Sequence, residues 1–239
     1  MQLFYLNPSA SVNDKMIHLD EEESKHCVKV LRLKEGDILH FTDGKGALIK
    51  GHIVEPLSKT CIIKIDEVKT FPEKSPKIHI AVSPTKQADR FEWFLEKATE
   101  TGVSEITPLI CKRSERSKMN MDRLNKIAIS AMKQSLQYHL PKINPPLDLD
   151  KFLNALSSGN KTERYIAHCL EEKSNTLKGV YKKGNDAIVL IGPEGDFTKE
   201  EIELSTKRLF MPVSLGENRL RTETAALAAC YTISLMNSN

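Results

Sequence analysis

The stretch Ala187-Ile188-Val189-Leu190-Ile191-Gly192-Pro193-Glu194-Gly195-Asp196 decides the fold. Its apolar run reads as a short buried strand, and the residues from Gly192 onward must turn sharply. Gly192 and Gly195 supply backbone that can approach a ligand closely or take positive φ, while Pro193 stiffens the bend. A second segment of the same form follows, Ser214-Leu215-Gly216-Glu217-Asn218-Arg219-Leu220-Arg221-Thr222-Glu223-Thr224-Ala225-Ala226, with Gly216 at its bend. An apolar helix then runs to the C-terminus. In an open α/β sheet, ligands sit at the carboxyl ends of the strands, where such loops gather. Glu194, Arg219, Arg221 and Glu223 crowd polar groups where an ordinary turn needs none. Together the two loops predict a pocket for a small molecule with a flat ring and a sugar.

The chain of 239 residues is long enough for one large domain or two smaller ones. With 40% hydrophobic and 28% charged residues it has the composition of a globular protein. Net charge is only +3, but its distribution is uneven. Between Cys111 and Lys142 stand Lys112, Arg113, Arg116, Lys118, Arg123, Lys126, Lys133 and Lys142, against Glu115 and Asp122. A local basic surface of this kind suits phosphate contact. Cys27, Cys61, Cys111, Cys169 and Cys230 are scattered without a CxxC pair, so neither a zinc site nor a disulfide framework is supported. They read as free thiols of a reducing cytosol. The N-terminus lacks the basic and apolar regions of a signal peptide, and no stretch reaches membrane-span length. These features predict a cytoplasmic protein without membrane or metal.

Residues 1–70 carry several short strands and one helix, which predicts a small β-barrel. Asp20 caps the helix with Glu23 three residues on, and Gly44-Lys45-Gly46 marks a hairpin turn. Lys69–Pro76 is polar and proline-bearing, which puts a linker at residues 71–76 and a second domain at 77–239. There the pattern alternates: strand Lys77–Val82, helix Gln87–Thr101 with Phe91, Phe94, Leu95 and Ala98 on one stripe, strand Glu105–Ile110, and a long helix from Asp122 to His139. Asp148–Leu156 reads as a short helix, Ser157–Thr162 as a loop and Arg164–His168 as a strand, before a polar segment to Gly184. Strands alternating with helices imply a mostly parallel sheet covered on both faces. The dinucleotide fingerprint GxGxxG is absent after the first of these strands, where Ser83-Pro84-Thr85-Lys86 stands.

GPEGD (Gly192–Asp196) followed by LGENRLRTETAALAA (Leu215–Ala229) resembles the SPOUT class of RNA methyltransferases, and most of all its RsmE-type family. The resemblance extends to His26-Cys27-Val28-Lys29-Val30-Leu31-Arg32, which is similar to the N-terminal signature of that family. It implies an α/β fold, a SPOUT trefoil-knot methyltransferase domain with a parallel sheet, preceded by a small PUA-like β-barrel domain that holds RNA. It implies S-adenosylmethionine as cofactor, and N3 of a uridine in 16S ribosomal RNA of the assembled small subunit as target. It implies a homodimer, built on the apolar helix Thr222–Leu235. The cofactor contacts it implies are His168, Leu190, Ile191, Gly192, Pro193, Glu194, Gly195, Leu215, Gly216, Asn218, Leu220, Arg221, Thr222 and Ala225. For RNA it implies His26 and Arg32, the Arg-Ser loop with Arg113 and Arg116, and Gln134. In the segment Ala131–Gln137, Lys133 and Gln137 depart from the acidic and basic residues usual in the family.

The chemistry narrows the roles. A sulfonium methyl donor is already activated, so alignment supplies much of the rate. Uracil N3 carries a proton that must leave, and charge then develops on the ring oxygens. Arg221 is the leading candidate for the cation that holds this charge, since its guanidinium is a rigid donor fork that stays ionised. Arg219 is the second. Glu194 can accept the N3 proton, or can bind a backbone amide or a ribose hydroxyl. Glu223 and Thr224 suit structural roles in the first helical turn. A non-catalytic RNA-binding assembly factor that has kept the fold is the alternative function. Intact cofactor loops weigh against it, and the missing GxGxxG weighs against a nucleotide-dependent oxidoreductase.

Overall fold

The computed structural model describes residues 1–6, 11–13, 15–156, 162–169 and 175–238. The expected loop at Ser157–Thr162 lies outside them except for Thr162, as do residues 170–174 of the polar segment that follows. The chain forms two units, one of Met1–Glu73 with Met132–Leu140 and one of Lys74–Ala131 with Pro141–Asn239.

The first unit contains β1 (Leu3–Tyr5), β2 (Ser11–Asn13), β3 (Met16–His18), α1 (Glu21–Lys25), β4 (Ile38–Thr42), β5 (Ala47–Glu55) and β6 (Ile62–Thr70). Asp20 caps α1 by accepting the Glu23 N–H at 2.9 Å, and the helix continues as a π-helical turn over His26–Val30. The strands make one sheet in the order β1-β4-β5-β6-β3-β2. Among the described residues its edges β1 and β2 do not meet, so the sheet is a curled half-barrel. Register shifts at Lys50/Gly51 and Ile53/Glu55 bend β5, as bulges do. Phe4, Ile17, Cys27, Phe41, Ile53 and Ile63 fill its core. The helix expected to reach His139 stops at Gln134: Leu136 takes a left-handed φ of 53°, Gln137 N–H donates back to Met132 O at 3.0 Å, and the residues beyond pair with the Gly44–Gly46 turn. Gly46 N–H donates to Tyr138 O and Leu140 N–H to Gly44 O, each at 2.8 Å, and Tyr138 stacks on Phe71 with ring centroids 4.6 Å apart.

The second unit contains β7 (Ile78–Val82), α2 (Ala88–Thr101), β8 (Glu105–Ile110), α3 (Met121–Gln134, whose last turn belongs to the first unit), β9 (Lys142–Ile143), β10 (Leu147–Asp148), α4 (Leu149–Ala155), β11 (Glu163–Ala167), α5 (Leu177–Val180), β12 (Ala187–Ile191), α6 (Lys199–Lys207), β13 (Met211–Val213) and α7 (Thr222–Asn237). The sheet runs β10-β8-β7-β12-β11-β13, with β9 also on β8, and every pair in it is parallel. β12 lies inside the sheet and all its residues are buried, as a strand covered on both faces requires. Ile188 and Leu190 face a core of Leu109, Phe152, Ile166, Phe197 and Phe210. α2 and α7 pack on each other, and α7 also packs on β7 and β12. Gly102 ends α2 with φ of 89°, a left-handed stop.

A buried polar cluster sits where β7, β8 and the residues after β9 meet. Asn144 Nδ2 donates to Thr107 Oγ1 at 2.7 Å, and the Thr107 hydroxyl pairs with His79 Nε2 at 2.8 Å. Burial drives the His79 pKa down to about 4, with Glu105 opposing the shift. The fold keeps this ring neutral where the unfolded chain protonates it, near pH 6.5. Stability from the site is therefore complete above about pH 6.5 and is lost as pH falls from there toward 4. We expect the unfolding temperature to fall between about pH 7 and pH 5, and His79→Gln to lessen the fall. Equal slopes in both proteins would assign the loss to other groups.

Candidate functional site

β12, β11 and β13 are neighbours in the sheet, so the segments after their carboxyl ends lie side by side. They enclose a cavity of about 360 Å³ lined by residues 167–169, 191–196, 213–216, 218–222 and 225. That volume falls in the range of small-molecule sites, roughly 300–1,000 Å³. Its place at the carboxyl ends of parallel strands is where α/β sheets bind ligands.

The turn after β12 is held from several sides. Asp196 N–H donates to Pro193 O at 2.9 Å and closes it. Thr222 Oγ1, in the first residue of α7, donates to Gly192 O at 3.1 Å. Lys86 N–H donates to Glu194 Oε1 at 3.0 Å. Arg113 donates from Nη1 to Gly195 O at 2.7 Å, and a Cβ on Gly195 would stand 3.3 Å from Arg113 Cδ. Glycine lets the Arg113 side chain lie close against the turn. Gly216 has φ of 139° with nothing within 4 Å of a Cβ position, so its need is conformational. Ser214 Oγ donates to Gly216 O at 2.8 Å and accepts Gly216 N–H at 3.2 Å, which folds the bend after β13.

Of the residues expected to bind a cofactor, His168, Ile191, Gly192, Pro193, Glu194, Gly195, Leu215, Gly216, Asn218, Leu220, Arg221, Thr222 and Ala225 line this cavity, as does Arg219. Leu190 does not: its side chain is fully buried in the core. Residues 216–221 are all exposed, so both arginines present their side chains to solvent at the cavity. Arg221 is also the N-cap of α7, which begins at the cavity with the positive end of its dipole. Glu223, just beyond, is 7% exposed and its Oε1 lies 3.9 Å from Arg90 Nε.

The sequence reading passed over Ala167, Cys169, Asp196, Val213 and Ser214, which also line the cavity. Val213 and Ser214 could have been found as the end of the strand that leads into the second loop. Asp196 and Cys169 belong together, because Cys169 N–H donates to Asp196 Oδ2 at 2.9 Å.

The basic segment after β8 is fixed at several points. Ser114 Oγ pairs with Ser83 Oγ at 2.7 Å and accepts Cys111 N–H at 2.8 Å. Lys112 N–H donates to Glu201 Oε1 at 2.7 Å, while Glu201 Oε2 accepts Thr198 N–H in the capping box of α6. Arg116 Nε donates to Lys118 O at 3.0 Å. In the first unit, His26 and Arg32 are exposed, Arg32 with φ of 56°, and His26 meets Phe4 edge to face at 6.1 Å. Gln134 is exposed and belongs to that unit. Among the described residues no group of acidic, histidine or cysteine side chains could hold a metal ion, and no helix is long and apolar enough to cross a membrane.

Residues 72–234 match the RNA methyltransferase domain family, and residues 19–66 match the RNA methyltransferase PUA domain family. Fold and site thus define a two-part RNA methyltransferase-type protein. A Rickettsia conorii protein named ribosomal RNA small subunit methyltransferase E is 30% identical, covering 98% of this chain and 96% of its own. A crystal structure of a probable rRNA-methyltransferase from Porphyromonas gingivalis superposes with a TM-score of 0.90 at 36% identity, over 99% of this chain and 98% of that one. A ribosomal RNA small subunit methyltransferase E from Neisseria gonorrhoeae, bound to S-adenosyl methionine, superposes with a TM-score of 0.86 at 27% identity, over 99% and 98% of the two chains. The chain belongs to the ribosomal RNA small subunit methyltransferase E family.

The packing of Gly195 against Arg113 carries a prediction. Valine at 195 would crowd the Arg113 side chain, which has to shift and thereby loosens its bond to the Gly195 carbonyl. We expect Gly195→Val to keep the fold and to speed amide exchange over residues 111–116 and 192–196 by at least about tenfold, about 1.4 kcal/mol of local opening. Unchanged exchange in the 111–116 segment would show that the two loops are held independently.

Proposed function

We propose that this chain transfers a methyl group from S-adenosylmethionine to N3 of a uridine in 16S ribosomal RNA of the assembled small subunit, in the cytoplasm. The observation that carries this is the cavity, formed where three parallel strands end, in a chain whose Neisseria gonorrhoeae relative is bound to S-adenosyl methionine. The residues present fit that ligand: backbone at Gly192, Gly195 and Gly216 leaves room for close approach, and Ile191, Pro193, Leu215 and Leu220 offer apolar wall for a flat ring. His168, Glu194, Asn218, Arg221, Thr222 and Ala225 complete the set that would hold it. When bound, the cofactor supplies a methyl group already activated by its sulfonium.

The chain has to orient the base and manage charge. Arg221 stabilises the negative charge that develops on the uracil oxygens, with Arg219 as a second cation. Glu194, held through one oxygen by the Lys86 amide, receives the N3 proton. His26, Arg32 and Gln134 of the first unit, and Arg113 and Arg116 of the second, contact the RNA. The C-terminal passes form a trefoil knot. In support, β13 lies at the sheet edge beyond β11, whereas α7 packs on β7 and α2, so the chain between crosses the ends of β11 and β12. Undermodified small subunits incubated with the protein and S-adenosylmethionine should yield N3-methyluridine by nucleoside mass spectrometry. A ribose-methylated product would overturn the assignment of the atom.

Two predictions follow from these roles. At saturating cofactor Arg221→Ala should lower the single-turnover rate by about two to three orders of magnitude, the usual effect of removing one donor to a developing oxyanion and a loss beyond any weakening of cofactor binding. Recovery of that rate at saturating cofactor would make Arg221 a binding residue instead. The second concerns assembly. α7 buries Ala226, Ala229, Cys230 and Ile233 within its own unit, yet leaves Tyr231 at 53% and Leu235 at 58% exposure. This uncovered apolar face is the proposed homodimer contact. Light scattering should report a dimer, and Tyr231→Glu with Leu235→Glu should give a monomer. An active monomeric wild type would remove the dimer from the proposal.

A further inference from the structure

Asp196 ends the turn after β12 with φ of 61°. This is the left-handed region, which glycine enters freely and residues with a Cβ enter at a cost, aspartate less than most. Glycine would serve the backbone there better, so the side chain has work of its own. Oδ1 accepts the N–H of the next residue, Phe197, at 2.8 Å. That local bond turns the carboxylate, and Oδ2 accepts the Cys169 N–H, 27 residues away, at 2.9 Å.

The position of this second bond matters. The ladder between β11 and β12 ends with Ala167 opposite Ile191. Beyond that pair the chains leave the sheet, and both line the cavity, at His168 and Cys169 on one side and Gly192–Asp196 on the other. The carboxylate continues the ladder's work past its end by holding a backbone amide. A carboxylate acceptor makes such a bond shorter and stronger than a neutral one. Cys169 is exposed, so water can take over its N–H when the carboxylate is gone. The fold then loses little, while the cavity loses a fixed wall.

We propose that Asp196 is a positioning residue for the cofactor: its carboxylate staples the Cys169 amide to the Gly192–Asp196 turn and sets the wall of the cavity before ligand arrives. This rests on the reading of the cavity as the S-adenosylmethionine site. Preorganisation of this kind acts on ligand affinity, so the effect belongs to cofactor binding rather than to the methyl transfer step.

Two substitutions test it. Asp196→Gly accommodates the left-handed backbone without strain and removes both bonds of the carboxylate. Asp196→Asn keeps one acceptor oxygen, which can serve only one of the two amides. By calorimetry, Asp196→Gly should weaken S-adenosylmethionine binding by about tenfold, and Asp196→Asn by about threefold, as loss and part-loss of one charge-assisted bond. The single-turnover rate of Asp196→Gly at saturating cofactor should return to within about twofold of wild type. Exchange of the Cys169 amide, measured without ligand, should quicken in Asp196→Gly while exchange in the β12 core stays unchanged. Wild-type affinity in Asp196→Gly overturns the proposal, as does a rate loss that saturating cofactor does not repair. Wild-type protein that binds no S-adenosylmethionine overturns the reading of the cavity and this proposal with it. In that case the exchange result still tells whether the staple itself exists.

Discussion

A turn that offers its backbone to a ligand cannot be packed in place by its own side chains. Two of the residues from Gly192 to Asp196 are glycines, and a third is the proline that sets the bend. The turn keeps its shape because groups from four other segments hold it: Lys86 after β7, Arg113 after β8, Cys169 after β11 and Thr222 at the start of α7. The sheet order explains how they reach it. β12 lies between β7 and β11, with β8 and β13 one strand further out on either side. In a parallel sheet all these strands end on the same edge, so their following segments surround the central turn. Each bond contributes only on the order of 1 kcal/mol. Their value is geometric, since they fix the backbone from four directions without adding bulk to the cavity.

How much of this was legible in the sequence follows from the range of the interactions involved. β12 and its turn were readable because an apolar run ending in glycine and proline is a local signal. The two arginines after Gly216 were readable because plain turns do not need them. Strand alternation separates Leu190 from Ile191: Ile191 lines the cavity, while the Leu190 side chain points into the core. Asp196 was passed over because its partner lies 27 residues away. The end of α3 was misjudged as well. No glycine or proline between Leu136 and His139 announces a stop; Leu136 itself takes a left-handed φ of 53° and Gln137 N–H closes the end on Met132 O, before Tyr138 and Leu140 pair with the turn at Gly44 and Gly46. The two-residue strands β9 and β10 are too short to show any period.

The site divides into a part that is held and a part that is free to adjust. Thr222 anchors one end of the segment Gly216–Arg221 through Gly192, and the Ser214 turn anchors the other. Between these anchors every residue is exposed. The arginines therefore sit on a short span fixed at both ends but unpacked along its length. A base that must be seated beside a small ligand needs such a division. The ligand wall has to be preorganised, because reorganising it would consume binding energy. In the proposed reaction the cations would reach charge that develops only during the step, and long side chains on a solvent-facing span can do so without disturbing the turn.

The basic segment after β8 joins both halves of this arrangement. Its charge density suits phosphate, yet its backbone is bolted to the buried carboxylate of Glu201 and its serine to Ser83. Arg113 extends from this frame to the Gly195 carbonyl. A guanidinium has five donors in a planar fork, so one edge can hold the carbonyl while the other remains open to an anion. A lysine ammonium at that position would be a point charge with no second edge. The residue type thus matters more than its charge: it lets one side chain hold the turn and keep donors for an anion, as the proposed RNA contact requires.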